Sequence, residues 1–543
     1  MAAEDEKVPS KEVLSSGSND DSPPQDEEAS VGGGVLKQDL RNRHMQMIAI
    51  GGAIGAGLFV GTGGALSKGG PASVVICYLI VGIMLLFTCQ ALAELAVLYP
   101  VNGAFYSYVV RFIDPSWGFA VGWEYTISWL CLLPFELIAA CITIEYWRED
   151  ISMGVWVTMF LVTLCLIQLF GVRGYGEVEF ILSMVKVAAC LGFIILGIVI
   201  NVGGVGDQGY LGAKYWHDPG AFRNGFNGFA GVFVIASFSF GGAELVGLAA
   251  AESENPLKAI PKASRQVFWR IALFYIVNLF IVGLIMRSDD NRLLNSSGAN
   301  TKASPFVLAI QDAGIQVLPS IMNAVITVAV VSVANSCAFA STRTMQALAL
   351  QGMAPRFLAY IDKQGRPVWC VVVQLVFGLL AYIGLASSGT TVFNWLLAIS
   401  GLSSFFVWGS ICLTHIRFRY VWKARGYSLD QIPYRPGAGV LGSWIGLFLN
   451  IVCLIASFYS ALYPDPNSSP DPQTFFQGYL AAPIVIILYL GWKIRTREWR
   501  LWIPAEEIDL TTDLRLHVPS EDDEKPELSG WKNLPKRIWR GLF

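Results

Sequence analysis

The chain has 543 residues and a formal net charge of -3; 54% of its residues are hydrophobic and only 15% are charged. Its apolar residues gather into runs of about 18 or more with few charges, the length that crosses a bilayer, and these runs recur along nearly the whole chain. That excludes a soluble globular domain. The absence of a phosphate-binding loop or metal-ligand spacing, together with only four His, points to neither an enzyme nor a nucleic-acid binder.

Residues 1–44 read as a disordered N-terminal tail, Met1–Gly34 being Ser, Asp, Glu, Gly and Pro with Lys7 and Lys11 exposed among them. No cleavable signal peptide is expected, because the N-terminus is acidic and polar. A basic patch, Lys37, Arg41 and Arg43, precedes the first span. The apolar pattern predicts twelve spans, the first five at Met45–Leu66, Ala72–Leu98, Trp117–Trp147, Met153–Phe170 and Glu177–Val202. The others are Asn227–Ala250, Val267–Met286, Leu318–Ala340, Val368–Ala386, Val392–Ile416, Val440–Leu462 and Phe475–Ile494. The transporter domain thus occupies 45–494, and 495–543 form a C-terminal tail. In that tail Trp531–Phe543 mixes basic and aromatic residues, the composition of a helix lying on the inner leaflet.

Lys and Arg placement orients the chain. With the N-terminus inside, roughly 22 fall on the inner side and about 7 outside. The sequons at Asn295 and Asn467 then both face outward as glycosylation sites. Both termini are expected in the cytosol. The ten cysteines all fall within predicted spans and read as packing residues, with no disulfide framework.

The chemistry concentrates in two stretches. Ile48–Gly64 carries Gly51, Gly52, Gly55, Gly57, Gly61, Gly63 and Gly64. Each interior Gly costs a helix roughly 1 kcal/mol relative to Ala. A helix so weakened predicts a break, which in lipid survives only where protein or a cavity covers it. The half-helix starting near Gly55–Gly57 then aims free N–H groups at an anion. Ser237–Glu244, with Gly241-Gly242, answers it in the second half of the chain. Two glycine-interrupted spans in corresponding positions point to a transporter's substrate site.

Ionisable residues within spans are the other signal. Glu244 stands in the second broken segment, Lys186 deep in the fifth span and Glu136 after Pro134 in the third. An amine or carboxyl held away from water exchanges a proton nearer neutral pH, as a proton-coupled carrier needs. Glu94 and Glu124 are expected to reach the inner interface, and His415 to be interfacial.

Several long motifs resemble a known family: Arg43–Gly55, Lys214–Phe222, Phe238–Gly247 with Glu252–Pro256, and Phe393–Leu397 with Ser400–Ser404. They are similar to the yeast amino acid transporter family of the amino acid–polyamine–organocation superfamily, most closely to fungal general amino acid permeases. The resemblance runs from about Leu40 through Phe543. It implies an all-α polytopic membrane protein of LeuT-like fold, with inverted repeats at about 45–202 and 227–416 and accessory spans in 440–494. It also implies proton-coupled uptake of L-amino acids across the plasma membrane, with protons as the coupling ion and no other cofactor. On this pattern the broken first span at Ala53, Ile54, Gly55, Ala56 and Gly57 meets the substrate, the N–H groups of Gly55, Ala56 and Gly57 holding its carboxylate. Carbonyls at Ala53, Phe238, Ser239 and Gly241 hold its ammonium, Phe238 gates the site, and Glu244 stands beside it. Lys186 matches a lysine that replaces a sodium ion, which leaves Lys186, Glu244 and Glu136 as proton-coupling residues. Lys7 and Lys11 become ubiquitin acceptors for a ligase acting on the tails, with membrane lipids around the bundle. Ala56 and Ala243 depart from the family's frequent Thr and Ser. Alternative readings are a permease specialised for one amino acid class and an amino acid sensor; a channel is disfavoured by the isolated charges.

Overall fold

Long apolar runs settle as helices in lipid because each backbone N–H and C=O must be paired inside the segment. The structure, a computed structural model that describes residues 36–52, 54–147, 150–206, 208–294, 304–385, 389–464 and 470–515, is built that way. Lys7, Lys11, Ala53, Asn295, Asn467 and Trp531–Phe543 lie outside the described residues. Among those described the chain forms helices and one isolated backbone bridge, Leu40 to Ser253.

Helix α1 (Asn42–Gly51) ends in the glycine-rich stretch, and a π-helical turn, Gly57–Gly61, restarts the chain into α2 (Thr62–Leu98). Gly70 turns to φ +81° inside α2, just before Pro71. Proline has no N–H to continue the ladder, and glycine tolerates that φ, so the first two expected spans meet there. The segment 221–223 takes up the freed groups: the Ala72 N–H donates to the Ala221 carbonyl and the Arg223 N–H to that of Gly69, each at 2.9 Å. After α3 (Ala104–Phe112), Asp114 caps α4 (Pro115–Glu145) by accepting from the Trp117 N–H at 3.1 Å. Then come α5 (Met153–Leu169) and α6 (Gly171–Asn201). The second broken segment supplies α7 (Gly225–Phe240) and the short α8 (Leu245–Leu248). A continuous span follows from α9 (Pro256–Trp269) through a π-helical stretch, Arg270–Val277, into α10 (Asn278–Ile285). Two short helices, α11 (Asn291–Leu294) and α12 (Pro305–Asp312), lead to α13 (Leu318–Leu350). The order ends with α14 (Val368–Gly378), α15 (Gly389–Ala424), α16 (Gly439–Leu462), α17 (Pro472–Tyr479) and α18 (Ala481–Thr496).

Nine helical segments among the described residues are long and apolar enough to cross a membrane, or ten with the bent pair α17–α18 taken as one span. The expected twelve do not appear as separate long helices. The first two run together through Gly70, and α5 has only 17 residues. α4 packs along α13, α2 along α7 and α1 along α6, with α16 against α15 and α18 against α4. All ten cysteines are free, and all but Cys165 are buried.

Three residues expected at the interface are instead buried. Glu94 is fully buried: it accepts from Arg419 Nη2 at 2.7 Å and lies 3.2 Å from His415 Nε2. His415 is buried as well, its Nδ1 2.7 Å from Ser443 Oγ. Glu124 is buried and accepts from Ser403 Oγ at 2.7 Å. Snorkelling needs a face turned to lipid. These side chains point between helices, so depth along the chain does not set their exposure.

Candidate functional site

The first break opens after Gly51. The Ile54 N–H donates to Gly51 at 3.0 Å, and helical bonding resumes with the Phe59 N–H to Gly55 at 3.2 Å. Between them, the N–H groups of Gly55 and Ala56 find no backbone acceptor among the described residues. They lie where a half-helix presents its positive end. The second break follows Phe240: Gly242 adopts φ +91°, and Glu244 braces the turn. Glu244 Oε1 accepts from the Gly242 N–H at 3.2 Å and Tyr125 OH at 3.1 Å, and Oε2 from Trp408 Nε1 at 3.1 Å.

The two breaks touch. A Cβ on Gly57 would stand 2.6 Å from Ser239 Cα, so only glycine admits this approach. Beside them lies a cavity walled by Gly55, Gly57, Phe238, Gly241, Gly242 and Glu244. α4 adds Tyr125, Ser128, Trp129, Leu132 and Glu136; α13 adds Val333; α15 adds Ser400, Ser403, Ser404 and Val407. Phe238 packs edge-on to Phe135, with ring centroids 5.4 Å apart. Ile54, Ala56 and Ser239 are buried but do not line this cavity. Ser239 is engaged elsewhere, its hydroxyl 2.8 Å from Tyr78 OH and its carbonyl accepting from Tyr275 OH at 2.7 Å.

Glu136 is 1% exposed, and among the described residues its Oε2 has no hydrogen-bond partner. Its Oε1 is 3.8 Å from where a Gly55 Cβ would stand. A buried carboxyl left unpaired at the mouth of a half-helix is costly without a proton or a ligand.

Lys186 lies behind the cavity wall. Its Nζ donates to Glu179 Oε1 at 3.2 Å and to Ser332 Oγ on α13 at 2.8 Å. Glu179 also accepts from Ser183 Oγ at 3.0 Å and Ser332 Oγ at 2.8 Å, and both charged side chains are fully buried. Gly51 of α1 packs against Ser183, so the pair sits beside the first break. Glu179 was not singled out from sequence, although it is an acid inside a predicted span.

Leu40 exchanges backbone bonds with Glu252 and Glu254, each at 3.0 Å. Glu252 then forms a two-pronged pair with Arg343 on α13, at 2.9 and 3.1 Å, with both side chains buried. Arg43 of α1 pairs with Glu177 of α6. Among the described residues no group of three or more His, Cys, Asp or Glu is placed to hold a metal.

Residues 44–505 match the model of a family described as amino acid permease. The general amino-acid permease GAP2 of Candida albicans is 51% identical over 481 residues, covering 88% of this chain and 82% of that one. The general amino-acid permease GAP1 of Saccharomyces cerevisiae is 49% identical over 515 residues, covering 93% and 85%. Cationic amino acid transporter 1 of Schizosaccharomyces pombe is 50% identical over 515 residues, covering 93% and 86%. Among solved structures, a manganese transporter variant from Eremococcus coleocola shares the fold, with a TM-score of 0.53 at 13% identity over 86% of this chain and 98% of that one.

Proposed function

The chain belongs to the amino acid permease family, and from that premise we propose that it is a proton-coupled symporter that takes up a broad range of L-amino acids across the plasma membrane. The observation that carries this reading is the unpaired Glu136 carboxyl beside the open N–H groups of the first break. A substrate carboxylate lodged on those N–H groups lies next to Glu136. Two negative charges at about 4 Å repel by about 4 kcal/mol at an effective dielectric of 20, close to a thousandfold in affinity. Substrate therefore docks when Glu136 carries a proton, and the two enter together. The Lys186–Glu179 pair, against the first break and α13, is the second place where a proton is exchanged as the inner half opens.

Breadth follows from the same geometry. Backbone groups read the ammonium and carboxylate that all amino acids share, and the rest of the wall is largely serine, aromatic and aliphatic. Two relatives carry the name general amino-acid permease, which supports that breadth. In this reading both termini are cytosolic, Asn295 and Asn467 face outward as glycosylation sites, and Lys7 and Lys11 take ubiquitin from a ligase. The test is uptake in cells lacking other permeases. One labelled amino acid should be displaced by most of the twenty, and collapse of the inward proton gradient should abolish accumulation. Competition confined to one class, or accumulation indifferent to the gradient, refutes breadth or coupling respectively.

A further inference from the structure

We propose that Arg270 is a positioning residue for the substrate: its guanidinium acts as a resident cation that clamps the two broken helices together. This rests on the transport reading above. Arg270 is fully buried and opens the π-helical stretch of the seventh span, a local widening that re-aims side chains and recurs at functional sites. Its Nη1 donates to the Ala49 carbonyl and its Nη2 to the Phe240 carbonyl, each at 3.2 Å. Ala49 lies in the last turn of α1, and Phe240 is the last residue of α7. One side chain therefore holds the C-terminal ends of both half-helices.

No carboxylate pairs with Arg270 among the described residues, although a charge buried this deeply requires compensation. The helix ends supply it. Each helix C-terminus carries about half a negative elementary charge, so two of them match one guanidinium. Tyr275, on the same stretch, adds its ring at 5.7 Å from the guanidinium and donates its hydroxyl to the Ser239 carbonyl at 2.7 Å. The Ser239 and Phe240 carbonyls are thus both occupied from the seventh span, which leaves the next residues, Gly241 and Gly242, to face the cavity. The clamp sets the register of that wall.

The test compares Arg270→Lys and Arg270→Gln with wild type, at matched surface abundance, in cells lacking other permeases. KM and Vmax are measured for one labelled neutral amino acid. Thermal stability of the purified carrier is recorded with and without that amino acid. Arg270→Gln should raise KM at least tenfold and lose the substrate-induced stabilisation, while the substrate-free carrier still melts cooperatively. Arg270→Lys keeps the charge but reaches one carbonyl at a time, and it should recover part of the affinity. Wild-type KM in both variants overturns the proposal. So does a lowered substrate-free melting temperature with unchanged KM, or failure of both variants to fold, since each marks a purely structural residue. A wild-type chain that moves no amino acid refutes the transport reading, and the proposal falls with it; active wild type with unchanged KM in the variants overturns this inference alone.

Discussion

Gly57→Ala is the smallest change that probes the contact between the two breaks. The added Cβ stands 2.6 Å from Ser239 Cα, 3.0 Å from its Oγ and 3.1 Å from its N. Carbon atoms settle at about 3.5–4.0 Å, so the first and sixth spans must part by about 1 Å. The obstacle is backbone, which cannot rotate aside. Overpacking of this kind costs about 1–3 kcal/mol, enough to lower substrate affinity from about fivefold to more than a hundredfold while the bundle still folds. Two neighbouring glycines serve as controls. A Cβ at Gly61 meets Ile235 at an ordinary 3.4 Å, and one at Gly64 meets nothing within 4 Å. The assay is uptake of a labelled amino acid against surface abundance, with KM taken for each variant. Gly57→Ala should fail, while Gly61→Ala and Gly64→Ala transport as wild type. A fully active Gly57→Ala carrier, or equal failure of all three, would refute the reasoning from contact geometry.

Other expectations follow from the buried charges and the connection after α10. Removing one member of a buried pair costs about 3–5 kcal/mol, whereas replacing both with apolar residues of similar volume is often neutral. Lys186→Met alone should therefore destabilise the purified carrier more than Lys186→Met with Glu179→Met, and the double variant should melt near wild type yet lose gradient-driven accumulation. Equal melting of single and double variants contradicts the pairing. Glu252→Gln should loosen the contact between Leu40, Glu252 and Arg343 and speed amide exchange across 250–256 and 340–345; unchanged exchange argues that the pair does not hold these segments together. Hydrogen bonds from Arg287 to Asp289 and from Arg292 to Asp290 hold both carboxyls below the usual carboxylate range. A depressed folded-state pKa stabilises above the unfolded value, about 3.9, and that contribution is lost as pH falls through the folded value. Limited proteolysis should find the connection after α10 equally resistant at pH 7 and pH 5 and weakened only below about pH 3.9; weakening already at pH 5 contradicts these pairings.

The outline of the site was legible in the sequence because its two breaks are written in glycine, and glycine at Gly55, Gly57, Gly241 and Gly242 has few other uses in an apolar run. Glu136, Glu244 and Lys186 stood out for the same reason: charge inside lipid-length segments is rare. Their partners did not. Ser332 and Trp408 are unremarkable residues within spans, and only the packing of α13 on α6 and of α15 on the α7 segment brings them to Lys186 and Glu244. Arg270, three residues after the expected start of the seventh span, was not singled out. The helix begins earlier, at Pro256, and carries the guanidinium into the bundle. Glu94, Glu124 and His415 misled for a related reason, since distance along a helix does not say which face meets lipid. Nor does periodicity reveal which carbonyls at a break are already taken, which is why Ser239 looked available and Tyr275 proved to hold it.

In the proposed symport a proton and the amino acid cross together, with the Glu136 carboxyl discharged for the substrate to dock. The most direct measurement is proton influx into proteoliposomes containing the purified carrier, started by adding amino acid without an imposed gradient and compared with labelled amino acid uptake in the same vesicles. The account predicts influx that begins with the amino acid, stays in fixed ratio to uptake, and disappears in Glu136→Gln even where exchange of substrate across the membrane persists. Amino acid uptake without proton entry, or an unchanged ratio in Glu136→Gln, would contradict it.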